Sequence, residues 1–267
     1  MWDKIKVFLL TLIIRSIGRL STGINMSFKY GFISGKMLDY IYENKPQGKF
    51  FIGKILDKIF LENVGWKAIR KRKDNLKDYL KRAIEVNRKN GIKSVILDIA
   101  SGPGKYLVDV LCDLGEQDIV AFCQDIDQRW LEDGRRQASE RGINNIRFMQ
   151  GDAFNLEELK KVSPRPNIVV SSGFYDWITE DDLIKRSFQY SYEIMQDKGK
   201  MIFSNQASHK QMELVSKAFV DFNHMPLRMK IRDPELLNLW AEETGFKNLE
   251  TRLDQWGLYS VAMGEKI

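Results

Sequence analysis

The sequence predicts an α/β fold with a mostly parallel, seven-stranded sheet, preceded by a helical extension. From residue 94 onward, apolar segments of strand length alternate with amphipathic segments of helix length. A glycine loop follows the first strand, and two strands with no helix between them close the chain. Alternation of this kind gives a parallel sheet with helices on both faces, and the closing pair must be antiparallel.

The predicted elements after residue 93 come in the following order. The strands cover 94–99, 119–124, 146–150, 167–172, 199–204, 247–254 and 257–263, the last two turning at Trp256-Gly257. The helices cover about 105–115, 128–141, 180–196, 210–221 and 233–244. A sheet of this type binds its ligand at the carboxyl ends of the strands, where the strand order reverses.

The first third of the chain has no strand-like alternation. Pro46, Gly48 and Gly65 divide residues 22–93 into two or three predicted helices, and Gly91 is a stop signal. The predicted regions are therefore an amphipathic helix over 1–21, a basic helical lid or substrate region over 22–93, and a cofactor-binding domain over 94–267.

Charge is distributed unevenly along the chain. Residues 1–93 carry 21 Lys and Arg against 8 Asp and Glu, a net +13, while the remaining 21 against 28 give −7. A basic third on an acidic body indicates an anionic partner, which could be a membrane, a nucleic acid or a phosphorylated substrate. The cluster KAIRKRK at 67–73 is either a solvated helix face or a phosphate contact.

The opening segment MWDKIKVFLLTLIIRSIGRL is too short in its apolar core to span a bilayer. Arg15 and Arg19 stand where a signal peptide would have its cleavage site. A helix here has Lys4, Thr11, Arg15 and Arg19 on one face and Trp2, Ile5, Leu9, Leu12 and Ile13 on the other. It either lies in a membrane interface or packs on its own domain.

The cysteines and histidines show no spacing for a metal site, and we expect no metal. Cys112 and Cys123 fall in a predicted helix and a predicted strand. Buried free thiols of a reducing compartment are the simplest interpretation. We therefore expect a cytoplasmic protein, with peripheral association at the inner face of the membrane.

The loop in SVILDIASGPGKYL distinguishes between classes of nucleotide. Gly102 and Gly104 follow a strand, but Leu107 stands where a dinucleotide fingerprint has its third glycine. Asp98, near the end of the strand, would repel a pyrophosphate and suits a cationic ligand. The amino group and sulfonium of S-adenosylmethionine (SAM) carry such charges.

Two further carboxylates follow the next strands. Asp125 lies about 20 residues beyond the glycine loop, where a carboxylate accepts ribose hydroxyls. Asp152 follows the third strand, where it can accept from the adenine amine, with Ala153 and Phe154 beside the ring. Each Asp alone could be a cap or a turn residue. Together they predict SAM binding.

The motifs DIASGPG, Asp125 and Gly151-Asp152-Ala153 resemble those of class I SAM-dependent methyltransferases, which have a Rossmann-like fold. The predicted cofactor contacts are Asp98, Ala100, Ser101, Gly102, Gly104, Asp125, Ile126, Asp152, Ala153, Phe154 and Ser172.

A narrower resemblance covers residue 24 to the C-terminus. The motifs SGKMLDYIYENKPQG, GWKAIRKRK, SSGFYDW, NQASHKQ and LDQWGLYSVA resemble a bacterial methyltransferase family. The resemblance implies a frequent fusion to an α/β-hydrolase domain and a link to phospholipid-headgroup metabolism. This chain contains no G-x-S-x-G. It has Ala207-Ser208 where the family has Pro-Trp, which alters the expected substrate pocket.

The loops after the fourth and fifth strands face the methyl group in this fold. Tyr175 could orient a substrate, or it could be packing; Gln206 could hold substrate or cofactor. His209 is a candidate general base, because an imidazole titrates near neutral pH, or it lines a helix start. The loop lacks the prolines of amino-directed nucleic-acid methyltransferases and a Pro-Cys nucleophile, which argues against a nucleic-acid substrate.

The N-terminal helices are expected to cover the strand ends, with Tyr40 and Tyr42 as candidate substrate contacts or as core residues. The sequence thus predicts a SAM-dependent methyltransferase acting on an oxygen or nitrogen of a lipid headgroup or other amphiphile at a membrane surface. The alternatives are a soluble small-molecule substrate, a nucleic acid, and a non-catalytic SAM-binding module. The oligomeric state is not predicted.

Overall fold

The computed structural model describes residues 4–32, 34–115, 118–209, 212–221, 225, 227 and 229–267. The described residues form two compact units. Unit 1 comprises those of 1–70 and 209–229, and unit 2 comprises those of 71–208 and 230–267. The predicted boundaries at 21 and 93 do not coincide with this division.

Unit 2 contains a seven-stranded sheet. Its strands are β1 (Ser94–Ile99), β2 (Ile119–Asp125), β3 (Ile146–Gln150), β4 (Ile168–Ser171), β5 (Lys200–Gln206), β6 (Phe246–Leu253) and β7 (Tyr259–Lys266). The order is β3-β2-β1-β4-β5-β7-β6, and only the pairs β5–β7 and β6–β7 are antiparallel. Because the order reverses between β1 and β4, the ligand crevice is expected at their carboxyl ends.

The sheet confirms the predicted fold class, and β1 and β3 have the predicted bounds. The closing turn contains Trp256-Gly257, as predicted, but it extends further than predicted. The carboxylate of Asp254 accepts hydrogen bonds from the backbone N–H groups of Trp256, Leu258 and Tyr259. These bonds hold the chain in a turn through Leu258, so β7 begins at Tyr259 rather than at residue 257.

The described residues also form eleven α-helices, divided between the two units. They are α1 (Lys4–Arg15), α2 (Thr22–Tyr30), α3 (Gly35–Glu43), α4 (Phe50–Leu61), α5 (Val64–Lys89), α6 (Lys105–Leu114), α7 (Gln128–Glu140), α8 (Leu156–Leu159), α9 (Asp181–Ile194), α10 (Met212–Ala218) and α11 (Pro234–Thr244). The short helix α8 was not predicted; the Asn155 side chain caps it by accepting from Glu157 N–H.

One apolar layer covers each face of the sheet. On one face, Leu76, Tyr79, Leu80 and Ile84 of α5 pack in a cluster with Ile96 of β1. On the other face, residues of α9 and α11 pack against the strands. The later turns of α5 therefore belong to the same core as the sheet, which is why unit 2 begins at residue 71 rather than at the predicted 94.

The described residues of 22–93 form four helices, α2 to α5, where two or three were predicted. Ser21 and Ser34 cap α2 and α3 by accepting from the N–H groups of Ile24 and Met37, so α2 to α4 are separate short helices. The predicted helix over 1–21 ends at Arg15 and continues as a 3-10 turn over Ile17–Leu20. Within the described residues, no helix is both long and apolar enough to cross a bilayer.

The N-terminal helix α1 has its apolar face in solvent. Ile5, Phe8, Leu9, Leu12 and Ile13 are exposed, and only Val7 is buried. Trp2, which was predicted to share this face, lies outside the described residues.

The basic cluster at 67–73 is only partly a solvated face, with Lys71 exposed and the other cations partly or fully buried. The Lys67 ammonium pairs with Glu62 at 2.8 Å, and the Arg70 guanidinium donates to the carbonyl of Leu61 at 3.0 Å. Arg72 is buried. Three cations of the cluster therefore have partners within the protein or are buried, and a phosphate contact by the cluster stays a prediction.

The two cysteines are free and differ in exposure. Cys123 is buried in β2, as predicted, and burial raises the pKa of its thiol well above the ordinary value. Cys112 is exposed on α6, so the expectation of two buried thiols is wrong for this residue.

Candidate functional site

The glycine loop after β1 has an unusual backbone. Ala100, Gly102 and Gly104 have φ of 51°, 55° and 64°, in the left-handed region. A Cβ on Gly102 would meet no atom within 4 Å, whereas a Cβ on Gly104 would lie 2.6 Å from the Cys123 Sγ. The loop therefore leaves its backbone open to a ligand at Gly102 and packs closely on β2 at Gly104.

The end of β2 anchors this loop. The Ser101 N–H donates to a backbone carbonyl of β2 at 3.0 Å, and the Gly102 N–H donates to Asp125 Oδ2 at 2.8 Å. Asp125 Oδ1 accepts from Asp127 N–H at 2.8 Å. Burial raises the pKa of Asp125, while these amide bonds lower it. Each oxygen keeps a further lone pair for a ligand, and the adjacent Ile126 side chain is exposed.

Asp98 is a buried carboxyl of the site with a strongly raised pKa. It lies in β1 with 0% of its surface exposed. Apart from the nearby Tyr106 hydroxyl, neither carboxylate oxygen has a hydrogen-bond partner among the described residues. Burial raises the pKa of Asp98 to about 8, the Tyr106 hydroxyl lowers it, and the charge of Asp125 raises it further. A buried carboxyl of this kind is stabilised by a cationic ligand.

The segment after β3 contributes an acidic turn and an aromatic ring. Asp152 Oδ1 accepts from Phe154 N–H at 2.8 Å, the turn interaction that the sequence left as the alternative to ligand binding. Ala153 is buried beneath it. The ring of Phe154 lies 5.3 Å from that of Phe174, between centroids. The aromatic pair joins the segments that follow β3 and β4.

The loop after β4 is bonded to β5. The Gly173 N–H donates to the Ser204 hydroxyl at 2.7 Å. Gly173 has φ of 73°, and both it and Ser172 are partly exposed. This fixes the loop beside the glycine loop of β1, since β1 and β4 are neighbours in the sheet.

Tyr175 lies in the core and not on the ligand side of this loop. Its side chain is fully buried, its hydroxyl is 3.1 Å from the Ser187 hydroxyl, and its ring lies 5.3 Å from that of Phe188. Burial raises the pKa of Tyr175 to about 12. The position matches the packing alternative and offers no contact to a substrate.

An ion pair that the sequence did not predict lies beside the same loop. Arg72 Nη1 is 3.3 Å from Asp176 Oδ2, and both side chains are buried. The guanidinium also lies 5.0 Å from the Tyr259 ring centroid. Asp176 Oδ1 accepts from Gln206 N–H at 2.6 Å. A Cβ on Gly173 would lie 2.9 Å from Arg72 Nη1, and the φ of 73° also favours glycine there.

The environment of Asp176 balances two effects. Burial raises its pKa to about 6, while the Arg72 charge, the Gln206 amide and the Arg232 charge lower it. Arg232 itself donates to the carbonyl of Tyr175 at 3.0 Å and to Asp181 Oδ1 at 2.8 Å. The network joins the ends of β4 and β5. The motif SSGFYDW contains its carboxylate, but nothing in the sequence indicates which of the clustered arginines is its partner.

Gln206 is at the end of β5 and is buried. Neither its amide oxygen nor its amide nitrogen has a hydrogen-bond partner among the described residues. A buried amide of this kind is stabilised by a polar ligand group. Its predicted contact with substrate or cofactor stays a prediction.

The remaining predicted residues belong to unit 1. Tyr40 is buried and donates its hydroxyl to Asp57, and burial with that contact raises its pKa. This is a structural role. Tyr42 is partly buried. His209 is partly buried, and desolvation lowers its pKa, which favours the neutral imidazole that a general base needs. Within the described residues, no three His, Cys, Asp or Glu groups are placed to hold a metal.

The candidate site in unit 2 is acidic. Asp98, Asp125 and Asp152 follow or end three neighbouring strands, and a close-approach loop lies between them. Acidic groups and open backbone suit a cationic nucleoside and disfavour a pyrophosphate. With the strand order, these features define a Rossmann-like fold of the class I methyltransferase type.

Comparison with known proteins gives the family. Residues 3–266 match the model of a family described as "Putative methyltransferase". The chain belongs to this methyltransferase family.

One curated relative is the "Uncharacterized protein YnbC" of Escherichia coli K12, 33% identical over 249 residues. The match covers 92% of this chain and 42% of the relative. The chain therefore spans less than half the length of the relative it matches.

Solved structures share the fold at low identity. A Bordetella parapertussis protein described as a "possible exported protein" has a TM-score of 0.72 at 16% identity, covering 98% of this chain and 86% of its own. The magnesium protoporphyrin IX methyltransferase of Synechocystis, with bound SAH, has a TM-score of 0.58 at 12% identity. That match covers 90% of this chain and 98% of the methyltransferase. The glycopeptide N-methyltransferase MtfA, complexed with SAM, has a TM-score of 0.54 at 15% identity, and the match covers 73% of this chain and 87% of MtfA.

Proposed function

We propose that this protein transfers a methyl group from SAM to an oxygen or nitrogen of a lipid headgroup or similar amphiphile at a membrane surface. The observation that carries the cofactor assignment is the buried carboxyl of Asp98, which lacks an ionic partner among the residues that the structure describes. SAM, when bound, supplies a methyl group activated by a sulfonium. Membership of a methyltransferase family and the neighbours with bound SAM or SAH support this choice.

The residues of unit 2 fit this cofactor. Asp98 would accept from the amino group of SAM, and Asp125 would accept from the ribose hydroxyls. The ring of Phe154 is available to the adenine, beside Asp152 and the buried Ala153. Gly102 leaves room for close backbone approach. Calorimetric titration of the protein with SAM and with SAH tests this cofactor assignment directly.

The acceptor is proposed from the surface of unit 1. The exposed face of α1 carries Ile5, Phe8, Leu9, Leu12 and Ile13. Of the two sequence alternatives, a helix packed on its own domain would bury this face. A large apolar face with flanking cations is typical of a helix that lies in a membrane interface. An enzyme held there would meet amphiphilic acceptors.

We expect the Phe8→Ser/Leu12→Ser variant to bind vesicles less than the unaltered chain. Burial of a Phe or Leu side chain contributes about 1.5–3 kcal/mol, so loss of both should lower partitioning by about a hundredfold or more. Flotation with phosphatidylglycerol-containing vesicles measures this. Leu253→Ser is the control, because Leu253 is also exposed but lies on β6. Equal flotation of all three proteins would contradict a membrane role for α1.

His209 is the proposed base for the acceptor. We expect His209→Ala to lower turnover by about tenfold with unchanged SAM affinity. This is less than the hundredfold or more typical of general bases, because methyl transfer depends mainly on alignment. Turnover is measured with methyl-labelled SAM and a bacterial lipid extract. Full turnover with intact SAM binding would remove His209 from the mechanism.

The extract also identifies the acceptor. A labelled product in the lipid phase supports the proposal, and a labelled product only in the water-soluble fraction points to a soluble acceptor. Labelled methionine given to cells with and without the protein, followed by lipid and metabolite profiling, names the compound.

A further inference from the structure

Helix α4 presents a second apolar surface, which the sequence patterns did not single out. Phe50 and Phe51 are 82% and 79% exposed. Ile52, Ile55 and Ile59 are exposed on the same helix, at spacings of three and four residues. Exposed apolar side chains are ordinary when they are scattered, but a contiguous group on one helix marks an interaction surface.

The opposite side of α4 is fixed inside unit 1. Asp57 is fully buried, and its Oδ1 accepts from the Ser21 hydroxyl at 2.6 Å and from Gly23 N–H at 2.7 Å. Its Oδ2 accepts from Gln47 N–H at 2.8 Å and from the Tyr40 hydroxyl. A rotation of α4 that buried Phe50 and Phe51 would expose this carboxylate and break these bonds.

Close backbone packing holds the same arrangement. A Cβ on Gly53 would lie 2.5 Å from the carbonyl oxygen of Leu20, and the Lys49 N–H donates to that oxygen at 2.9 Å. Leu20 ends the 3-10 turn that follows α1. The start of α4 is therefore clamped to the chain segment that carries α1, and its outward face is a fixed property of unit 1.

The exposed charge on α1, α4 and the 3-10 turn is positive, and the nearest exposed acid of α4 is Glu62 at its end, paired with Lys67. Residues 4–20 contain no acidic residue, and in residues 48–61 the only acid is Asp57, which is buried. Exposed cations lie on the same two segments, and they are Lys4, Lys6, Arg15, Arg19, Lys49, Lys54 and Lys58. Exposed apolar rings with lysines and no carboxylate are complementary to an anionic lipid surface.

We infer that α4 is a second membrane-docking element, with Phe50, Phe51 and Ile52 inserting into an anionic phospholipid bilayer and Lys54 and Lys58 contacting its headgroups. This inference deepens the proposed function and rests on its membrane-surface acceptor. It assigns the bilayer contact to two segments of unit 1 instead of α1 alone.

The test uses the full chain and flotation with vesicles of phosphatidylglycerol and phosphatidylcholine in equal parts. The partitioning of the Phe50→Ser/Phe51→Ser variant is expected to fall by about a hundredfold or more, because two ring burials are removed. Its control is Leu253→Ser. The Lys54→Glu/Lys58→Glu variant is expected to lose binding mainly at low salt, whereas Lys161→Glu/Lys247→Glu, at exposed sites of unit 2, should bind nearly as the unaltered chain does.

Two results would overturn the inference. One is unchanged flotation of the Phe50→Ser/Phe51→Ser variant. The other is a chain that sediments as a dimer without binding vesicles and becomes monomeric on this substitution, because a second copy would then cover α4. Calorimetry with SAM on the same samples separates the two proposals. An unaltered chain that binds SAM but not vesicles rejects only the docking. A chain whose flotation responds to the substitutions but that does not bind SAM rejects only the cofactor assignment.

Discussion

Replacing Asp98 with Asn is expected to weaken SAM binding by about a hundredfold or more. The carboxylate is buried, so the cationic amino group would find no solvent to replace it in the variant. Removing one member of a buried charge pair costs about 3–5 kcal/mol, and each 1.4 kcal/mol is about tenfold in affinity. Calorimetric titration measures the change. Asp118→Asn, at the opposite end of β2 in an exposed turn, is the matched control.

The same variant has a pH signature that a general loss of structure would not produce. The pKa of Asp98 is raised to about 8, from an ordinary 3.8. Between these values the folded state holds a proton that the unfolded state has lost, so the ligand-free protein loses stability as pH rises from about 4 to about 8. The free energy of unfolding of Asp98→Asn should lack this decrease with rising pH.

SAM binding has the opposite pH dependence. Because a cation selects the ionised carboxylate, SAM affinity should rise with pH up to about 8 and proton release should accompany binding below it. Calorimetry in two buffers of different ionisation enthalpy detects the released proton. An Asp98→Asn protein that binds SAM as tightly as the unaltered chain would contradict the assignment of Asp98 to the amino group of SAM.

Replacing Arg72 with Ala is expected to lower the free energy of unfolding by about 3–5 kcal/mol, since Asp176 is left buried without its ionic partner. Arg82→Ala is the matched control on the same helix. The Arg82 pair with Glu250 has side-chain exposures of 38% and 46%, compared with 6% and 5% for Arg72 and Asp176. An exposed pair contributes about 0–1 kcal/mol. Urea unfolding followed by circular dichroism gives both values.

A second variant separates the charge from the packing. Arg72→Met/Asp176→Asn removes both charges and keeps an oxygen that can accept from Gln206 N–H. Its free energy of unfolding should exceed that of Arg72→Ala and recover a large part of the lost stability, because no buried charge stays unpaired. If Arg72→Ala is no more destabilising than Arg82→Ala, the pair does not stabilise the ends of β4 and β5 as described.

The sequence predicted the parts of this protein that depend on local pattern. Asp98, Asp125 and Asp152 were placed correctly at strand ends, because strand–helix alternation fixes which edge of a parallel sheet each strand end reaches. The bounds of β1 and β3 followed from apolar runs with clear breaks on either side.

What the sequence could not predict depends on distant partners. Arg72 and Asp176 are 104 residues apart, and no local pattern distinguishes Arg72 from its basic neighbours. The division within α5 has no Gly or Pro to mark it, because one uninterrupted 26-residue helix contributes to both units. Tyr175 was ambiguous because an aromatic residue after a strand can face the ligand or the core.

The outward face of α4 was missed for another physical reason. Periodicity gives the two sides of a helix but not which side is buried, and apolar residues are ordinarily placed inside. Here the buried carboxylate of Asp57 and the tight approach at Gly53 decide the orientation instead.

The unequal cysteines give the protein a single chemically addressable position. Cys112 is exposed on α6, while the thiol of Cys123 is buried with a pKa well above the ordinary value, so thiolate-directed reagents reach only the former. A maleimide fluorophore would therefore attach at one known point of unit 2 without substitution of any residue. The labelled chain would report on ligand titrations and vesicle partitioning with its native sequence intact.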